Sequence, residues 1–126
     1  MVRVRRNKRK LLTALSPLLI FLALAGFALF MWTANVVLVR NSSGMTIKEF
    51  TLTVCAKDYA LADIADGETG KLNFAVTGDS NFQMRVTLQD GTILTNSFGY
   101  VTGGAGAYRN RVTITVRPNL IEGTQQ

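Results

Sequence analysis

Two tyrosines and two arginines crowd a glycine-rich stretch near the C-terminus. In GYVTGGAGAYRNR, Tyr100, Tyr108, Arg109 and Arg111 surround Gly103, Gly104 and Gly106. Tyrosine offers contact area at little rotamer cost and arginine offers a planar fork of donors, so this composition suits a protein contact. The glycines also permit positive φ, and the same stretch reads as a mobile connection between the last two strands. Binding of an anionic ligand is a third reading. A dinucleotide fingerprint is excluded, because the third glycine is misplaced and a strand pattern follows where that motif needs a helix. Ordering a glycine-rich loop is entropically expensive, so the functional expectation is a loop that a partner orders.

The remaining reactive residues are few. The chain of 126 residues has no histidine, which removes Ser-His-Asp and Cys-His catalysis and histidine metal sites. Its one cysteine, Cys55, cannot form an intramolecular disulfide. It is read as the last residue of the strand EFTLTVC, on the face opposite Phe50, Leu52 and Val54. An intermolecular disulfide, or a copper(I) site with the thioethers of Met45 or Met84, are the other readings. Asp63, Asp66 and Glu68 crowd into ADIADGETG, which lacks the alternating ligands of a calcium loop and reads as a turn. Asn41-Ser42-Ser43 matches a glycosylation sequon. No cofactor, catalytic residue or metal site is expected, and a non-enzymatic role follows.

The elements that must position these residues are strands. Leu72, Phe74 and Val76 alternate with polar or small residues; so do Phe82, Met84, Val86 and Leu88, and again Val112, Ile114 and Val116. Turn clusters separate them at Asn41–Gly44, Asp66-Gly67, Gly78–Asn81 and Asp90-Gly91, the last read as a two-residue hairpin. About seven strands over residues 35–120 predict an immunoglobulin-like β-sandwich, with a small β-barrel as the alternative. Residues 121–126 are expected to be a C-terminal tail.

Ahead of the strands, Leu11 to Trp32 are twenty-two residues without a charge, long enough to span a bilayer as a helix. Six of the fourteen basic residues precede Leu11, and the other eight are balanced by the eight acidic residues. The positive charge therefore belongs to residues 1–10 and marks a cytoplasmic flank, not a nucleic-acid face. Residues 11–34 are expected to be a retained transmembrane helix with ends at Leu11 and Trp32. Cleavage after Gly26-Phe27-Ala28 would leave an apolar new terminus.

Asn41 to Gly44, Asp63 to Glu68, Thr77 to Ser80, and Gly99-Tyr100 ahead of Gly103-Gly104 resemble, in that order, a set of small membrane-anchored bacterial β-sandwich proteins of unassigned function. The chain departs from them in having Asp66 where a proline often precedes the glycine. The resemblance implies a bacterial, envelope-facing sandwich and carries no functional residue.

These readings predict a single-pass membrane-anchored interaction module, an accessory or structural subunit of a larger membrane complex. The N-terminus is expected in the cytoplasm and the domain beyond the inner membrane, in the periplasm. Its partners would be the bilayer and membrane proteins, with neither nucleic acid nor a small-molecule substrate. A ligand- or copper-handling periplasmic domain, or an adhesive domain released by cleavage, are the alternatives.

Overall fold

The computed structural model describes the backbone of residues 4–126 and the side chains from residue 16 onward. The chain forms two compact units, which meet in sequence between Thr33 and Ala34. The first is one helix, α1 (Val4–Thr33), which runs on through Pro17. It starts inside the stretch expected to be a separate basic tail. Leu11, the expected anchor end, falls within α1 and not at its end, and its side chain and those of the basic tail lie outside the described residues. Within α1, Ser16–Thr33 has a mean hydropathy of 1.9, and none of that window is buried in the protein. Leu18, Phe21, Leu24, Phe27 and Trp32 are all more than half exposed.

The second unit is all β. Eight strands follow: β1 (Asn35–Asn41), β2 (Ile47–Val54), β3 (Lys57–Ile64), β4 (Thr69–Phe74), β5 (Ser80–Leu88), β6 (Ile93–Val101), β7 (Arg111–Val116) and β8 (Ile121–Gln125). They make two four-stranded sheets, ordered β4-β1-β7-β8 and β3-β2-β5-β6. Both sheets contribute to one apolar core, in a sandwich-like arrangement. The four-plus-four order differs from the four-plus-three split of an immunoglobulin constant-type domain, and the division into two sheets replaces the barrel alternative. The eighth strand lies where only a tail is expected; β8 pairs antiparallel with β7 from Val112↔Gln125 to Val116↔Ile121.

The inward residues follow the period-two pattern. Phe82, Met84, Val86 and Leu88 line one face of β5, and Val112, Ile114 and Val116 line one face of β7. β2 breaks the period. Ile47 and Phe50, three apart, are both fully buried, because the register with β5 shifts between Ile47 and Glu49. A bulge of this kind adds a residue and re-aims the side chains beyond it. Phe82 sits at the centre of an aromatic group, edge-on to Phe74 at 5.4 Å and stacked with Phe98 at 5.5 Å.

β1 is central in its sheet, antiparallel to β4 and parallel to β7. A buried asparagine stands at each of its ends. Asn41 donates to the carbonyls of Met45 and Ile64 at 2.7 and 2.8 Å and accepts from the Ser43 backbone and hydroxyl at 3.0 and 2.7 Å. Its side chain thus ties β1 in one sheet to the end of β3 in the other. The sequon asparagine is therefore an internal strut, unavailable as a glycan acceptor. At the other end Asn35 donates to the carbonyls of Phe74 and Ala107 at 3.2 and 2.8 Å.

Leaving buried carbonyls and donors unpaired destabilises by about 1–3 kcal/mol per group. Asn41→Ala takes the side-chain donor from the Ile64 carbonyl and the acceptor from the Ser43 N–H, while the Met45 carbonyl keeps the Ser43 hydroxyl at 2.9 Å. It should lower stability by about 2–4 kcal/mol in urea denaturation of the detergent-solubilised chain. Asn73→Ala, at an exposed position of β4, should change it by under about 0.5 kcal/mol.

Candidate functional site

The strand registers sort every loop of the β unit to one of two poles. One holds Ala34, the Cys55-Ala56 turn, residues 75–79, residues 102–110 and the C-terminus. The other holds residues 42–46, 65–68, 89–92 and 117–120. All seven residues of the expected contact loop lie at the first pole. Asp66 and Glu68 lie at the second.

Tyr100 is not in a loop: it belongs to β6, which runs on to Val101. The Gln125 side-chain amide bonds both its backbone groups, accepting from the Tyr100 N–H at 3.2 Å and donating to its carbonyl at 2.8 Å. Its ring is 55% exposed, so it remains available as a surface. Partial desolvation and the Asp79 carboxylate, which it meets in a hydrogen bond, push the hydroxyl above its usual value. Asp79 also accepts from the Gly103 N–H at 2.9 Å, joining residues 75–79 to the glycine-rich stretch.

That stretch has a fixed conformation. Gly104–Ala107 form one turn of 3-10 helix, between the sixth and seventh strands and not the last two. Asn35 accepts from the Asn110 N–H and side-chain amide, both at 3.0 Å, and Asn110 donates in turn to the Gly106 carbonyl at 3.0 Å. The turn is therefore set by the domain itself, and the expectation of a loop awaiting a partner to order it is corrected. The glycines are there for space. A Cβ on Gly106 would lie 1.9 Å from the Thr102 hydroxyl, and one on Gly103 would lie 3.2 Å from the Gly78 Cα. Tyr108 is 61% exposed, and Arg109 is exposed with φ at +64°. Arg111 is turned inward, its guanidinium donating to the Ala34 carbonyl, so it leaves the set of contact residues.

Cys55 lies just past β2, not at its end. Val54 pairs with Lys57, so Cys55 and Ala56 form a two-residue connection, with φ of +51° and +58°. Two positive φ values define the type I′ hairpin turn, which favours Asn-Gly over the residues found here. The Cys55 N–H donates to the Ser80 hydroxyl at 2.9 Å. Slight burial works against its thiolate. Hydrogen bonds with the Thr77 and Gly78 backbone and the Thr77 and Ser80 side chains outweigh that and hold the thiol below its ordinary value. The expected hairpin at Asp90-Gly91 is instead a three-residue connection, closed by the Leu88 N–H donating to the Thr92 carbonyl at 2.8 Å, with Gly91 at φ +88°.

Neither metal reading gains support from the geometry. Met84 is in the core, and Met45 and Cys55 flank opposite ends of the eight-residue β2, about 25 Å apart at strand rise. Among the described residues, no group of three or more His, Cys, Asp or Glu side chains is gathered. Asp66, from the acidic cluster, accepts from the Gly44 N–H at 2.9 Å and serves the opposite pole as a turn residue.

Sequence reading missed Asn35, Asp79, Asn110 and Gln125, which hold the site together. Asn35 carried the clearest signal, a polar residue opening an apolar strand. The other three act through contacts remote in sequence.

No protein family and no curated protein matches the chain. Its fold is similar to the NMR structure of a protein from Eubacterium rectale, with a TM-score of 0.55 at 15% identity over 71% of this chain and 87% of that one. At that identity the likeness concerns the fold alone.

Two substitutions probe how the pole is built. Gly106→Ala should lower the melting temperature through the clash with Thr102, and adding Thr102→Ala should recover part of the loss, as read in a double-mutant cycle. Replacing Cys55-Ala56 by Asn-Gly removes left-handed strain at two positions and should raise stability by about 1–2 kcal/mol in the same denaturation assay.

Proposed function

We propose that this chain is a single-pass membrane-anchored interaction module, an accessory or structural subunit of a larger membrane assembly. The observation that carries the reading is α1. No residue of its apolar window Ser16–Thr33 is buried in the protein, a surface that water tolerates poorly and lipid or neighbouring membrane helices accommodate. Six basic residues before Leu11 favour a cytoplasmic N-terminus, which puts the β unit in the periplasm of a bacterial cell. Supporting a binding role, the Ala34 pole gathers exposed tyrosines, a lysine and an arginine about a fixed turn, with Asp58, Asp79 and Cys55 beside them. Tyr100, Tyr108 and Arg109 form its contact surface, with Gly103, Gly104 and Gly106 shaping the backbone beneath.

The test is affinity purification of the tagged chain after cross-linking in native membranes, with an intact-mass measurement of the recovered protein. A reproducible set of membrane proteins together with an uncleaved N-terminus is expected. A mature chain beginning at Leu29, recovered as a monomer, would replace this reading with a released domain.

A further inference from the structure

The pole that carries Tyr100 and Tyr108 is also the pole at which the β unit begins. Ala34 is the single residue between Thr33, the last of α1, and Asn35, the first of β1. Thr33 to Asn35 spans about 7 Å at full extension, so this pole is tethered close to the end of the apolar window. The Ala34 carbonyl is held by Arg111, and Asn35 is held by Asn110 and Ala107, so the chain's entry point is itself fixed to the loop that bears Tyr108.

The two poles differ in chemistry. The Ala34 pole exposes Tyr100 and Tyr108, 55% and 61% accessible, with Lys57 and Arg109 beside Asp58 and Asp79. Lys57 lies over the Tyr59 ring, 5.3 Å from its centroid. The opposite pole exposes Asp63, Asp66, Glu68 and Asp90 with Arg40 and Lys48 among them, and Glu122 in an ion pair with Arg117, a set that is negative on balance. Amphipathic tyrosines with interspersed cations suit the layer between water and hydrocarbon, whereas a cluster of carboxylates is repelled by anionic headgroups.

We propose that the partner of this site is the lipid surface itself: the Ala34 pole rests on the phospholipid headgroups of the bilayer that α1 enters, with Tyr100 and Tyr108 seated in the headgroup layer and the acidic pole held away. The proposal rests on the membrane-anchored reading and adds an orientation to it. A protein that binds this subunit from the periplasm then meets the sheet faces and the acidic pole first.

The experiment uses the full chain in vesicles of phosphatidylcholine and phosphatidylglycerol containing headgroup-spin-labelled lipid. In a Cys55→Ser background, a fluorophore is attached through Ala105→Cys, an exposed position of the 3-10 turn, or through Asp66→Cys at the opposite pole. Quenching at residue 105 should exceed that at residue 66 several-fold. Tyr100→Ser with Tyr108→Ser should reduce that contrast while the chain still floats with the vesicles. Equal quenching at the two positions, or stronger quenching at 66, in a chain that floats would overturn the orientation and leave the anchor standing. A chain that fails to float would overturn both.

Discussion

A buried amide is tolerable only when all its hydrogen-bonding groups are met, and β1 carries one at each end. Asn41 and Asn35 each donate to two backbone carbonyls and accept from two donors of one neighbouring residue, Ser43 and Asn110 respectively. Those partners lie in both sheets and in the loops of both poles. Hydrophobic burial makes the two sheets adhere, with Phe50, Phe82 and Ile114 fully enclosed, but adhesion has no direction. The two asparagines supply the alignment. Each can satisfy its groups in one register of β1 against its neighbours, and a slip of one residue would leave four polar groups unpaired and turn the side chains of β1 to the wrong face.

Closure along the sides works differently. Gly123, on the edge strand β8, leaves the space that the Phe98 ring of β6 fills, and Gly70, on the edge strand β4, does the same beneath Leu61 and Ile64 of β3. Beside these contacts, Asn96 donates to the Ile121 carbonyl at 2.7 Å and the Tyr59 hydroxyl accepts from the Ala75 N–H at 3.0 Å. Both lateral openings between the sheets are thus occupied by side chains of the chain itself. An unprotected sheet edge invites pairing with other chains, and these contacts crowd the edges that would otherwise offer it.

Much of the fold was legible because it is local. Period-two burial identified the inward residues of β5 and β7 and, in β4, Leu72 and Phe74, while Val76 lies past the strand's end and is half-buried; the turn clusters fell where strands end. The bulge in β2 was not legible, since Ile47 and Phe50 violate the alternation that made the strand recognisable. β8 escaped for a related reason. IEGTQ has one buried residue and a glycine, and the contacts that place it, the ring of Phe98 above Gly123 and the pairing with β7, come from residues outside the segment. At the site, composition drew attention to the right pole, but glycine content suggested a loose loop. What fixes it are asparagine and aspartate contacts from residues up to 75 positions away, which no local pattern encodes.

The parallel pairing of β1 with β7 has a consequence for the order of assembly. Every other strand pair is antiparallel, and the β2-β3 and β5-β6 hairpins close over a few residues. β1 finds β4 after some thirty residues, but its other neighbour is the next-to-last strand, joined across more than seventy. Contacts of such long sequence separation are won late and slowly, because the loop entropy must be lost before they form. A chain emerging N-terminus first can therefore complete the sheet of β3, β2, β5 and β6 well before β1 has anything to rest on beyond β4. Until residue 110 has appeared, Asn35 has no Asn110 to meet, and the first strand of the domain is among the last to be locked.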